Sequence, residues 1–506
     1  MSSNNTNFTF NQKFNSCSAG FTTLEILIAL AIITTGISTV VLVVFGNQSA
    51  VSDSYMNSEA LQKASGMMER ARAGAMANYS LLQTVATSSD GGYKENVTVQ
   101  MKDEFTKLVT STVSWQTDHG RSEQVSLVTL LVDWQNAMTG NTCNTPLTGD
   151  WRQPKSTSYL FGQDLVLDNA TTTAISDMQE RGQKLYVSLN VAATKGSAKF
   201  FVFDLAQGGK PSLLGSLNNS TSTTAGISAM AVAGNYAYLA SSRAISAGSG
   251  FGQLQIVDIS NASRPQLVKT YKVANVTGTS GQGVGNSIFY SKGYVFLGLT
   301  KTGSGPEFII IDVRDPVNPL AVGNFIVSNA VNKILVKGNY AYIAHPTDSS
   351  SQPPEQVTVL DISDPTSPRR ISGFHSLDNQ GNGKSLFIMG NNLYVGRTVT
   401  TTANPELYII DNTDPTAITS SYFLSSQKIS NSVNSLAVRN NLIFMVTNNQ
   451  LQIWDAVDPG RLLSYASPIS LPGGPGTAIS CSGNLVYISS VSSSGTGYVS
   501  VVSPGT

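Results

Sequence analysis

The chain has 506 residues, 41% of them hydrophobic, which is length for two or three domains and enough apolar material for a sizeable core. Charged residues make up only 12%, against about 25% in ordinary soluble domains, so polarity comes from Ser, Thr, Asn, Gln and 44 glycines, as in a turn-rich β protein. Lys+Arg and Asp+Glu balance at 31 each, which gives no electrostatic support to a nucleic-acid partner or an anionic membrane surface.

Residues 1–20 are polar, with Lys13 their single charge. Gly20-Phe21-Thr22-Thr23-Leu24-Glu25 then runs into Ile26-Leu27-Ile28-Ala29-Leu30, and from Leu24 to Phe45 the only ionisable residue is Glu25. That stretch is long enough to span a bilayer as a helix. A secretory signal places its cleavage site after the apolar core, whereas here Gly20 precedes it, so cutting there removes a leader and keeps the helix. A carboxylate at the start of such a helix calls for a partner, and the amino terminus created at Phe21, on the same chain or a neighbour, supplies one. The simpler alternative is a plain anchor whose Glu25 reaches the headgroups.

This segment resembles the type IV prepilin signal, a Gly followed by an aromatic-led, Glu-containing apolar helix, over Gly20 to about Gly46. Ala31 to Ile37 is most similar to minor pilins of the modification-protein class. Thr23 departs mildly from the pattern, and the leader is longer and less basic than many. The resemblance implies that a prepilin peptidase cuts after Gly20 and N-methylates Phe21, and that Glu25 guides the subunit into a filament. It implies other pilin subunits and the inner-membrane pilus assembly machinery as partners. The location implied is the inner membrane before assembly, then an extracellular pilus or pseudopilus.

Beyond Phe45 the chain turns amphipathic, with Ala60, Leu61, Ala64, Met67, Met68, Ala71 and Ala75 at helical spacing. Strands are expected around Val97–Met101, Leu108–Trp115 and Glu123–Leu131, with Asp118 to Arg121 as a turn. A helix followed by a few antiparallel strands resembles a compact pilin headgroup. The expected organisation is a leader over 1–20, a spanning and amphipathic helix over 21–80, a β headgroup over 81–135, and a linker over 136–157.

Self-similarity dominates the remainder, 158–506. A short apolar run ending in Asp recurs at Asp204, Asp258, Asp312, Asp361, Asp411 and Asp455, spaced 54, 54, 49, 50 and 44 residues apart. A second strand lies upstream of each, as at Ala341-Tyr342-Ile343, and Asp-Pro follows in four units, as at Asp315-Pro316. A spacing of about 40–50 residues is that of one four-stranded propeller blade. An Asp side chain bonds a backbone N–H two residues on and Pro presets φ, so the repeated Asp reads as a turn residue between third and fourth strands rather than a metal ligand. These units resemble the LVIVD repeat of β-propellers over roughly Tyr159 to Thr506. The seventh unit supplies a second strand at Leu485–Ile488 and a third at Tyr498–Val502, while Ser158–Gly162 looks like a fourth strand. The fold class expected is thus an α+β pilin module followed by an all-β propeller of seven blades, closed by residues near 158–166.

Cys17 falls in the leader, which leaves Cys143 in the linker and Cys481 in the last blade, either as free thiols or as one disulfide pinning the ring to its stalk. His345 and His375 follow strands and read as loop polar residues, and His119 falls in the pilin part. Asp378–Gly383 lacks the late Glu of a calcium loop and reads as a turn. No catalytic residue, metal or cofactor is assigned. The expected function is a minor pilin-like subunit displaying a propeller for extracellular adhesion, its unknown ligand held by the long loops Ala240–Gly252, Leu299–Pro306, His345–Glu355 and Gly396–Pro405. The alternatives are a type II secretion-like pseudopilin binding exported substrate and a filament-borne propeller enzyme.

Overall fold

The computed structural model describes residues 23–505 apart from 79–81, 104–105, 118–119, 133–142, 144–146, 167–172, 191–197, 206–208, 218–225, 243–251, 279–280, 348–353, 377–379, 400–403 and 420–422. Gly20, Phe21 and His119 lie outside these residues. The chain divides into two compact units, one built from Met1–Ala77, Leu82–Gln100 and Leu108–Leu130, the other chiefly from Leu131–Thr506.

Among the described residues the first unit holds one helix, α1 (Thr23–Asn78), and a four-stranded antiparallel sheet in sequential order: β1 (Val85–Asp90), β2 (Tyr93–Asp103), β3 (Thr106–Gln116) and β4 (Ser122–Val132). The later part of α1 buries Ala60, Ala64, Met67, Met68 and Ala71, a stripe with the i, i+4, i+7 spacing of one helix face. Leu61, counted into that stripe from the sequence, stands 49% exposed, because one residue's rotation carries it off the face. Every second residue of β3 is buried, and Ser111 donates from Oγ to the Ala64 carbonyl at 2.9 Å. β1 was not among the expected strands: its sequence, VATSSD, lacks an apolar alternation, and Gly91 and Gly92 at φ 58° and 88° turn it onto β2. Among the described residues no helix is long and apolar enough to cross a membrane. The side chains of residues 42–50 lie outside the description, so the expected span from Leu24 to Phe45 is covered only in part.

The second unit is all β apart from short helical turns at Phe161–Leu165 and Pro415–Ala417. Its described strands form seven small antiparallel sheets. Sheet three is typical: Gly285–Ser291, Tyr294–Leu299, Phe308–Asp312 and Leu320–Phe325 lie side by side in chain order. Sheets one, two, four and five repeat this order, starting at Ile175, Ile227, Lys333 and Gly383. Sheet six starts at Ser435, and its outer strand is split into Leu463–Ser464 and Ile469–Ser470, both paired with Gln450–Asp455. Sheet seven takes Gly476–Ser482, Leu485–Val491 and Gly497–Gly505, and its fourth strand is β5 (Asp150–Leu160), from the other end of the unit.

Burial explains the residue types. In Phe200–Asp204, Phe308–Asp312 and Leu407–Asp411 all four residues before the Asp are buried, since sheets cover both faces of these third strands. The core clusters link successive sheets: one with two through Val202 and Leu239, three with four through Phe308 and Ile343, and seven back to one through Tyr487 and Phe203. A bulge also recurs between third and fourth strands of sheets one to five, at Val202/Phe203, Ile256/Val257, Ile310/Ile311, Val359/Leu360 and Ile409/Ile410. The result is an all-β body of small packed sheets, β-propeller-like in architecture.

Residues 150–157 are strand, not the end of a linker. β5 pairs with Tyr498 through Gly505 along its length, and Trp151 is buried with an edge-on contact to Phe444 at 5.2 Å. Composition hid this strand, because Asp150, Arg152, Gln153, Pro154 and Lys155 are poor strand formers whose place depends on a partner some 350 positions away. Eight positions upstream of Trp151, Cys143 is joined to Cys481 by a disulfide across a sequence separation of 338.

Candidate functional site

Six carboxylates at the ends of third strands were expected to close turns. Asp258, Asp312, Asp361, Asp411 and Asp455 each accept, at 2.8–3.0 Å, the backbone N–H two residues on, from Ser260, Arg314, Ser363, Thr413 and Val457. Asp204 ends its strand in the same way, paired with Ser212 across the sheet. Asp315, Asp364, Asp414 and Asp458 form a second turn three residues later, as in Thr366 N–H to Asp364 Oδ1 at 2.9 Å. Hydrogen bonds to the ionised form hold Asp312, Asp361 and Asp411 below the usual carboxylate range, chiefly from the Arg314 guanidinium, the Ser363 N–H and the Thr413 hydroxyl respectively.

A second set of repeated polar residues went unread in the sequence. In sheets two to five the position just before the third strand holds a buried Gln253, Glu307, Gln356 or Glu406. Each reaches past the fourth strand and ties down the connection to the next sheet. Glu406 Oε2 accepts N–H groups from Ile429 and Ser430 at 2.6 and 2.9 Å, and Glu307 Oε2 those of Val327 and Ser328 at 3.1 and 3.0 Å. Gln253 and Gln356 do the same for Val273 and Ser376 at 3.0 and 2.8 Å. These groups satisfy backbone that would otherwise be buried without partners.

Neither repeat offers chemistry. His345 is buried, with Nδ1 against the Pro346 carbonyl at 2.8 Å and Nε2 against Thr358 Oγ1 at 2.9 Å, and His375 Nδ1 lies 3.4 Å from the Ser376 carbonyl. Among the described residues no three His, Cys, Asp or Glu side chains converge as metal ligands. Of the long loops, Leu299–Pro306 is fully described, whereas residues 243–251, 348–353 and 400–403 of the others, and 378–379 of the Asp378–Gly383 turn, lie outside the description.

The concave site lies elsewhere. The first strands of all seven sheets face one cavity of about 850 Å³. At the start of these strands stand Ser176, Ser228, Asn286, Asn332, Lys384, Asn434 and Thr477, the second residue of the strand in five sheets and the residue just before it at Asn332 and Asn434, a ring of polar side chains lining the cavity. Several of them stitch adjacent sheets: Asn286 Nδ2 donates to the Val331 carbonyl at 2.9 Å, Asn332 to Gly383 at 2.8 Å, and Asn434 to Gly476 at 2.9 Å. Ser176 Oγ donates to the Ile227 carbonyl at 2.5 Å, and Lys384 Nζ to Asn434 Oδ1 at 2.5 Å.

Asp177 and Lys333, one residue further on, also line the cavity. Burial pushes the Asp177 carboxyl up, against the opposing pull of Lys333 and of N–H donation from Met230 and Met178, both at 2.9 Å. Burial pushes the Lys384 ammonium down. Three residues beyond the polar ring along the strands the lining is mostly apolar, through Ala231, Phe289, Leu335, Phe387 and Ala437, with Gln179 and Ser480 at the same position. Sequence reasoning missed this site because it located the second, third and fourth strands and passed over the first. A signal was present: a Ser, Thr, Asn or Lys two places before a buried Met, Ile or Leu recurs from unit to unit.

The LVIVD repeat family matches residues 227–273 and 330–373, which are the units ending third strands at Asp258 and Asp361. Those matches lie wholly within the seven-sheet unit, so the prepilin resemblance rests on the N-terminal residues alone. The sequence matches no curated protein. Among solved structures the chain is similar to the AfRom2 CNH domain, with 9% identity, 68% of this chain and 98% of that one covered, and a TM-score of 0.41. It is similar to a candidate 6-phosphogluconolactonase from Bacteroides uniformis, with 12% identity, coverage of 58% and 85%, and a TM-score of 0.44. A quinonprotein alcohol dehydrogenase-like protein from Bacteroides thetaiotaomicron gives 10% identity, coverage of 74% and 86%, and a TM-score of 0.39. The chain thus carries LVIVD repeats in a β-propeller-like, all-β fold; likenesses at this level say nothing of its activity.

Proposed function

We propose that this chain is a minor type IV pilin-like subunit that carries a seven-bladed β-propeller outside the cell for adhesion or partner binding. The observation that carries the reading is the division of labour along α1. One face of its later half is buried in the unit that holds the β1–β4 sheet, while Leu24, Leu27, Ile28, Leu30, Ile32, Ile33, Ile37, Val40 and Val41 stand exposed on its earlier half. An apolar helix surface of this extent demands lipid or other helices, and a prepilin helix meets both in turn. Sharing one sheet between the first and last parts of a unit closes a ring of blades without leaving edges, which supports the seven-bladed reading of β5. A domain of this size would crowd every subunit of a thin filament, so it suits a minor or tip subunit. The propeller acts as a binding module rather than a catalyst.

The test is made in a host with pilus machinery. The wild-type chain should be cut after Gly20, and antibody to the propeller should label filaments sparsely. Gly20→Val should leave the leader attached, and Glu25→Ala should be cut but fall out of filaments. Bare filaments alongside a wild-type chain that is never cut would end this reading.

A further inference from the structure

The seven-sheet cavity is walled by protein on all sides of its polar ring, yet its charges do not cancel. Among the described residues Asp177 is the only acidic side chain on the lining, and it already receives two backbone N–H groups. Against it stand Lys333 and Lys384, contributed by the neighbouring sheets four and five at adjacent register positions. Arg181 also lines the cavity but donates to the Val232 carbonyl at 2.7 Å, and Arg314 is held by Asp312. An ammonium has three donors. Lys384 gives one to Asn434, and Lys333 makes no hydrogen bond to the described residues, though it interacts electrostatically with Asp177. The asparagines present the complementary function. Asn286 and Asn332 use their amide nitrogens on the next sheet, which leaves each Oδ1 as an acceptor at the same level.

We propose that the cavity binds a small polyhydroxylated acid, its anionic group on Lys333 and Lys384 and its hydroxyls on the amide oxygens of Asn286 and Asn332. A cavity of about 850 Å³ is of the size that encloses small ligands. Cations held among low-dielectric walls attract an anion far more strongly than exposed lysines do. Among the apolar residues beyond, the rings of Phe289 and Phe387 offer flat surfaces for the carbon face of a sugar ring. The inference rests on the cavity alone and holds whether or not α1 enters a filament. It also moves the ligand from the long loops, where variability pointed, to the inner strands.

Titration calorimetry on the purified full-length chain in detergent, with galacturonate, glucose 1-phosphate and glucose as probes, tests it. At least one of the two acids should bind saturably, and whichever does identifies the anionic group as carboxylate or phosphate. Glucose should bind at least about tenfold more weakly, as expected for losing a charge-assisted hydrogen bond. Lys333→Gln with Lys384→Gln should weaken the acid by a similar factor or more, and Lys337→Gln, whose ammonium is spent on the Gly390 carbonyl, should leave it unchanged. If the double variant fails to fold, Lys333→Gln alone carries the test, since that side chain makes no hydrogen bond to the described residues. Equal binding of glucose and the acids, no saturable binding of either acid, or undiminished binding by the lysine variants would overturn the proposal.

Discussion

Isoleucine meets opposite fates in the two units: Ile32 of α1 is 67% exposed, whereas Ile310 in the third strand of sheet three is fully buried. The residue type and the local hydrophobicity are alike, and the surroundings differ. In the repeats each apolar strand is flanked by two sheets of its own unit, so the chain supplies every partner it needs. In the early half of α1 no described part of its unit covers the apolar side chains. A repeat array is self-sufficient; the early half of α1 leaves its apolar side chains uncovered by the described residues of its unit.

The largest expected effect tests that contrast directly. Ile310→Ala should lower stability by about 2–5 kcal/mol, seen as a shift in the denaturation midpoint. Ile32→Ala should stay within about 0.5 kcal/mol while reducing membrane retention or filament incorporation. Equal losses of stability would mean that α1 is covered within the folded chain.

The disulfide comes next. It turns most of the seven-sheet unit into one covalent loop and ties the segment that leads into β5 to the first strand of the sheet that β5 completes. Cys481→Ser, or reduction, should cost about 2–4 kcal/mol. Hydrogen exchange should show β5 losing protection before any other strand. Uniform loss across all seven sheets would argue that closure is not the weak point.

Removing a repeated buried carboxylate should cost somewhat less. Glu406→Ala leaves the N–H groups of Ile429 and Ser430 without their acceptor, worth about 1–3 kcal/mol, and Glu406→Gln should recover part of it. Urea midpoints of the two variants measure this.

The smallest effect is one of pH, and it belongs to the repeats alone. Asp312, Asp361 and Asp411 have folded values below the unfolded carboxylate range, so their contribution is complete above about pH 4. It is lost as pH falls through their lower folded values. Thermal midpoints should therefore drop on acidification from pH 5 to pH 3, less so in the Asp312→Asn, Asp361→Asn, Asp411→Asn triple variant.

Much of the fold was legible because it is repeated. One Asp-ended run is a weak signal, but six with matching upstream strands and Asp-Pro turns give a unit length and a strand order. The helix face was legible from Ala60, Ala64, Met67 and Met68, since 3.6 residues per turn leaves few other readings. β1 was not, because Val85 to Asp90 carries no alternation. Nor were the buried Gln253, Glu307, Gln356 and Glu406, whose polarity looks like loop when no one can see the backbone they satisfy. The cavity was hidden for a related reason: Asp177, Lys333 and Lys384 are 156 and 51 residues apart in the chain and meet only because first strands converge.

Local sequence by itself determined the turns, the apolar third strands and the amphipathic part of α1, since each depends on contacts within a few residues or on a fixed period. Tertiary structure alone decided that the charge-rich segment from Asp150 becomes a strand, that Cys143 meets Cys481, and that seven first strands enclose a cationic cavity. Those outcomes depend on residues hundreds of positions apart, and no local propensity records which of them will become neighbours.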